Sequence, residues 1–154
     1  MNRVYGVLTA TLLFAVLMLL GACARSDPEK ELRVTIAAMQ AAVQKRDASA
    51  FMVHVADDFT RQAGGMDAKE LRRTLAAVFI SNQSIDVTAT VRELAIEPGG
   101  KRATVQVTAA AAGGQGALLP ERAQGWDIRC AFRRQGNSTS GKWQAFNCDW
   151  KELL

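Results

Sequence analysis

Ile85-Asp86-Val87-Thr88-Ala89-Thr90-Val91-Arg92-Glu93-Leu94-Ala95-Ile96 alternates apolar and polar side chains as far as Val91, the period of two that a half-buried strand requires. The phase then slips: Leu94 and Ile96 are even-numbered, whereas the earlier apolar positions are odd. One inserted residue near Arg92-Glu93 returns both halves to one face, so the spacing predicts a β-bulge there. An antiparallel sheet with such a bulge curves. Pro98-Gly99-Gly100 is a turn, and Ala103, Val105, Val107 and Ala109 mark the next strand. Residues 112–124 read as a long loop with Leu118-Leu119-Pro120 at its tip. Trp126, Ile128, Cys130 and Phe132 share one face of a third strand. Gly136 to Gly141 reads as a turn, and a fourth strand runs from about Lys142 to Lys151 with Phe146, Cys148 and Trp150 on one face. Trp143 is out of phase with them and is expected to be partly exposed.

Upstream the period is that of helices. Asp27-Pro28-Glu29 carries a cap, a proline suited to the first helical position and an acid at the positive end of the dipole. Leu32, Ile36, Met39 and Val43 then form one apolar stripe on a helix of about 18 residues. Asp47 caps a second predicted helix with Phe51, Val55 and Phe59 four apart on its face, broken at Gly64-Gly65. Asp67 and Glu70 have the spacing of a capping box, and Leu71, Leu75, Val78 and Phe79 follow on a third helix that stops near Asn82. Three helices followed by four antiparallel strands is an α+β pattern.

The order and lengths of these elements, from about Pro28 to Leu153, resemble the nuclear transport factor 2-like family of cone-shaped α+β proteins. The segments that carry the resemblance are the helix pair ending in Asp57-Asp58-Phe59, the capped helix from Asp67 to Phe79, and the closing hairpin from Trp126 through Lys142-Trp143-Gln144-Ala145-Phe146 to Trp150. The resemblance implies three N-terminal helices packed on a curved four-stranded antiparallel sheet. It also implies a pocket between the first helix and the inner face, where catalytic members place Asp, His or Tyr.

The N-terminus reads as an address. Arg3 precedes an uncharged, leucine-rich run from Val4 to Ala22, which ends in Leu20-Gly21-Ala22-Cys23. That ending resembles the lipobox of bacterial lipoproteins. The resemblance implies cleavage after Ala22 and a lipid on Cys23, making residues 1–22 a signal peptide, residues 23–27 a lipidated tether and residues 28–154 a single domain. Ala24, by the same resemblance, points to the outer membrane if the host is Gram-negative. An uncleaved transmembrane anchor is the competing reading of the same run.

Composition narrows the function classes. The chain has 154 residues, 49% apolar and 22% charged, which excludes a disordered or collagen-like chain. Loss of Arg3 with the signal peptide lowers the side-chain charge from +4 to +3, an ordinary surface. The basic residues are scattered and not interleaved with aromatics, so no nucleic-acid partner is expected. With Cys23 lipidated, Cys130 and Cys148 remain as a pair, expected to form a disulfide in an oxidising compartment; two buried thiols are the alternative. One histidine, His54, and no CxxC motif leave no metal site, and no cofactor is expected.

Within a helix His54 would lie three or four residues from Asp57 and Asp58, close enough for a carboxylate to orient the imidazole as a general base. His54 also adjoins the buried stripe, and the two aspartates suit a solvated helix end, so these three are weak catalytic candidates and no catalytic residue is assigned. Asp127, Arg129 and Arg133 share the strand face opposite Trp126 to Phe132, the face expected to be solvated. Leu118 and Leu119 are a candidate binding loop. The expected function is therefore a non-catalytic, membrane-anchored binding domain in the periplasm, taking a small apolar ligand or an envelope protein. A lyase, isomerase or hydrolase using the same cavity, and a scaffold subunit of an envelope machine, are the alternatives.

Overall fold

A computed structural model describes residues 27–62, 65–114, 122–137 and 140–153. Residues 1–22, read from the sequence as a signal peptide, and Cys23, Leu118 and Leu119 fall outside them. The element order is α1 (Pro28–Gln44), α2 (Ala48–Met52), β1 (Val55–Arg61), α3 (Ala68–Ser81), β2 (Ser84–Ile96), β3 (Arg102–Gly114), β4 (Arg122–Asn137) and β5 (Ser140–Leu153). The strands form one sheet in the order β1-β5-β4-β3-β2.

Local signals placed the helix starts. Asp27 accepts from the amides of Glu29 and Lys30, Asp47 accepts from Ala50, and Asp67 with Glu70 closes a reciprocal capping box. Each such cap contributes on the order of 1 kcal/mol. The bulge in β2 lies where the phase slip put it: Val91 pairs with Val107 and Glu93 with Gln106, leaving Arg92 as the extra residue.

The second helix is shorter than its spacing predicted. It ends at Met52, and Val55 to Arg61 form a strand that pairs parallel to β5. The sheet thus has five strands and is mixed, not four and antiparallel. A repeat of four at Phe51, Val55 and Phe59 satisfies a helical face and also every second inward position of a strand. Pairing with β5 resolves the ambiguity and buries Val55, Ala56 and Phe59.

A second correction concerns β5. Cys130 pairs with Cys148 and Ala131 with Asn147, but Phe132 then pairs with Ala145, leaving Phe146 as the extra residue. This second bulge reverses the inward phase. Trp143 and Ala145 point into the core, each 1% exposed, while Phe146 lies outside against Arg102 and Arg133, 5.9 and 5.7 Å from its ring centre. The expectation of a partly exposed Trp143 fails because the phase slip is set by register with β4. Of the loop predicted over 112–124, residues 112–114 belong to β3 and 122–124 to β4.

Leu32, Phe59, Val105 and Trp143 are the largest fully buried side chains, each stabilising by roughly 1.5–3 kcal/mol or more. Gln40 and Gln44 both donate to the carbonyl of Val87 at 3.0 Å. These bonds tie α1 across the edge strand β2. The Cys130 and Cys148 sulfurs are 1.96 Å apart, a disulfide across the β4–β5 hairpin.

Candidate functional site

Helices α1 and α3 do not lie flat on the sheet. Between them and its inner face is a cavity of about 340 Å³, open on one side. The size is at the lower end of small-molecule sites. Ile36, Met39 and Val43 line it from α1, and Leu71, Leu75 and Val78 from α3. The sheet contributes Trp126, Ile128 and Trp150 as large groups and Ala89, Ala109 and Ala111 as small ones. The alanines matter because they leave the space. A larger residue at those inward positions would have filled the gap between sheet and helices.

The lining carries no Asp, Glu, His, Lys, Arg or Tyr among the described residues. Among the described lining residues Gln40 is the only polar side chain besides the two indoles, and its amide donates to Val87. None of the described lining residues has a proton donor or acceptor in the acid–base range, and general acid–base catalysis requires such a group within hydrogen-bond reach of the substrate. The disulfide Cys130–Cys148 forms part of the wall.

The sequence candidates lie elsewhere. His54 occupies the corner between α2 and β1, where its amide donates to Phe51 and its carbonyl accepts from Ala145. It borders a separate surface cleft of about 580 Å³ with Lys30, Glu31, Val34 and Lys142. Partial burial lowers the His54 pKa below the usual imidazole value, and the positive charge of Lys142 lowers it further, so the ring is neutral at neutral pH. Asp57 and Asp58 are exposed on strand β1. An extended segment separates positions three or four apart by about 10–13 Å, so the helical juxtaposition with His54 is lost. Asp58 instead accepts a bidentate pair from Arg133, with Nη1 to Oδ2 at 2.8 Å. That hydrogen bonding holds its carboxyl below the usual aspartate range.

Asp127 lies on the outer face as expected, accepting from Gln106 at 3.1 Å with Lys151 at 3.9 Å. Asp149 is 3.7 Å from Arg61, whose guanidinium stacks 4.1 Å from the ring centre of Trp150. Among the described residues no cluster of three or more metal-binding side chains occurs, and no helix is long and apolar enough to cross a membrane. The sequence had marked the stripes on α1 and α3 as core. That these stripes enclose space has one signal in the sequence, the alanines at inward positions of β2 and β3.

No known family's sequence profile matches the chain, and no curated protein matches it. Solved structures do. A ketosteroid isomerase-like protein from Erwinia carotovora atroseptica is 15% identical, with a TM-score of 0.59 over 79% of this chain and 93% of that one. A protein of the nuclear transport factor 2-like family from Streptomyces avermitilis is 15% identical, with a TM-score of 0.62 over 81% and 95%. A domain with a cystatin-like fold from Nostoc punctiforme is 12% identical, with a TM-score of 0.64 over 82% and 77%. At such identities the likeness is one of architecture. The chain has the α+β, nuclear transport factor 2-like (cystatin-like) fold.

Proposed function

We propose that this domain is a non-catalytic binding module, holding a small apolar ligand in the cavity between α1, α3 and the sheet. The observation that carries the proposal is the lining: almost wholly apolar, with no titratable side chain among the described residues and its one amide already bonded. Isomerase or dehydratase chemistry, after which the Erwinia and Streptomyces neighbours are named, needs an acid or base beside the substrate. None lines this cavity among the described residues. Fold likeness does not supply the missing group.

We place the module at the cell envelope, held by a lipid on Cys23, on the strength of Leu20-Gly21-Ala22-Cys23 after the uncharged run. Two acyl chains make such anchoring effectively permanent. The oxidising compartment that this implies agrees with a disulfide at Cys130–Cys148. Sorting to the outer membrane of a Gram-negative host follows from Ala24 by resemblance.

The binding reading is tested with a fluorescent apolar probe, such as an anilinonaphthalene sulfonate, titrated into the purified protein. Saturable binding at one site is expected. Ala109→Leu, which adds three carbons to a buried cavity wall, is expected to weaken it at least tenfold while the protein stays folded. Probe binding that Ala109→Leu leaves unchanged places the apolar site elsewhere. A turnover that collapses on substitution of a lining residue would replace the binding reading with the enzymatic one.

A further inference from the structure

The mouth of the cavity differs from its interior. Val78 lines the cavity yet is 43% exposed, so the opening lies beside the C-terminal half of α3. The carbonyl of Val78 accepts from Asn82 Nδ2 at 2.8 Å. Asn82, in turn, presents its own carbonyl to Arg46 Nη1 at 3.1 Å. Arg46 stands three residues beyond Val43, another lining residue. It ends α1 in the left-handed conformation, φ 55°, a common helix terminator. Arg46 thus sits where the ends of both helices meet, bonded to Asn82 four residues beyond lining Val78, and it is exposed, with exposed Lys45 beside it. The acidic neighbour is Asp47, whose carboxylate accepts from Ala50 at the start of α2.

A cation near the mouth, and an interior whose polar groups among the described residues are confined to Gln40 and two indoles, favour ligands whose polar atoms sit at one end. A molecule with oxygens at both ends, as in many fused-ring compounds, leaves one end unpaired in the cavity, and each buried unpaired group weakens binding roughly five- to 150-fold. A molecule whose polar atoms are confined to one end avoids that cost. We infer that the cavity takes the hydrocarbon tail of a single-chain anionic amphiphile, tail first, with its head held at Arg46. The inference rests on the reading of the cavity as an apolar binding site and adds the ligand's class and orientation. A free fatty acid and an anionic monoacyl phospholipid share this chemistry.

Saturated fatty acids of about eight to fourteen carbons, the matching n-alkanols, an anionic lysophospholipid and a flat fused-ring diol are titrated into the purified protein. Binding is read by the fluorescence of Trp126 and Trp150, which line the cavity. Affinity for the acids is expected to rise about fourfold per added carbon, the equivalent of ~0.8 kcal/mol per buried methylene, until the tail fills the cavity. The acids are expected to bind more tightly than alkanols of equal tail. Arg46→Gln should remove that excess, about two- to fivefold for an exposed charge pair, leave the alkanols unchanged, and be rescued by Arg46→Lys. Binding of the lysophospholipid as well as the acids assigns the tail to membrane lipid, and binding of the acids alone assigns it to free acid; either upholds the inference. Tight binding of the fused-ring diol without a chain-length slope overturns it while sparing the apolar site. An equal effect of Arg46→Gln on acids and alkanols overturns the role of the mouth. Failure of every apolar compound to bind removes the site itself.

Discussion

Trp143 and Phe146 lie three residues apart on β5 and have exchanged the environments that strict alternation assigns them. The bulge opposite Ala131-Phe132 turns Trp143 into the core and Phe146 out onto the sheet's polar face. Trp143→Ala is therefore expected to cost about 3–5 kcal/mol in a urea unfolding titration. Phe146→Ala, which loses a part-exposed ring and two guanidinium contacts, should cost about 1–2 kcal/mol; a reversed ranking would contradict the bulge. His54 has its own signature at this scale. Burial and Lys142 lower its pKa in the folded protein, whereas the unfolded chain titrates near pH 6.5. Folded His54 binds its proton less tightly, so acidification through that value favours the unfolded state, and the loss levels off below the folded pKa. His54→Gln should flatten the decline in Tm between about pH 7 and pH 5 and leave apolar-probe binding unchanged. A loss of binding with Tm held would assign His54 to the site.

At the scale of the element, the β4–β5 hairpin carries the most constraint. Cys130 and Cys148 are directly opposed and separated by 18 residues in sequence. A closed loop of that length is associated with roughly 3 kcal/mol of stabilisation in chain-entropy models. Cys130→Ser with Cys148→Ser is expected to lower the unfolding free energy by about that amount. Native protein denatured without reductant should resist alkylation at both positions; full alkylation of both would show two thiols instead. This pairing was legible because both cysteines share the parity of Ile128 and Trp150, and no bulge falls between them and the open end of the hairpin. Strand β1 was not legible. Its Phe51-Val55-Phe59 spacing serves a helix as well as a strand, and its partner β5 lies some ninety residues further along the chain.

For the whole molecule the consequential feature the structure shows is the cavity; the N-terminal lipobox reading lies outside the described residues. If Cys23 carries the lipid, cells labelled with a fatty-acid analogue should incorporate label into the wild-type chain, and Cys23→Ala should lose it and release the domain from the membrane fraction. Equal labelling of wild type and variant would overturn the lipobox reading. The cavity belongs to this scale because no single element contains it. Stripes on α1 and α3 that read as ordinary core meet a sheet face thinned by Ala89, Ala109 and Ala111, and the mismatch leaves about 340 Å³ unfilled.

Local chemistry by itself determined the helix starts at Asp27, Asp47 and Asp67, the bulge at Arg92, the Pro98-Gly99-Gly100 turn and the two faces of β4. Each depends on capping, periodicity or turn residues within a few positions of one another. The end of α2, the existence and parallel sense of β1, the reversal at Phe146, the separation of His54 from Asp57 and Asp58, and the cavity were decided only by the tertiary structure. In each case the deciding interaction joins segments distant in sequence. Helical and extended spacings of Phe51, Val55 and Phe59 are nearly degenerate until β5 supplies hydrogen bonds. An alanine reveals empty space only once its neighbours across the core are known.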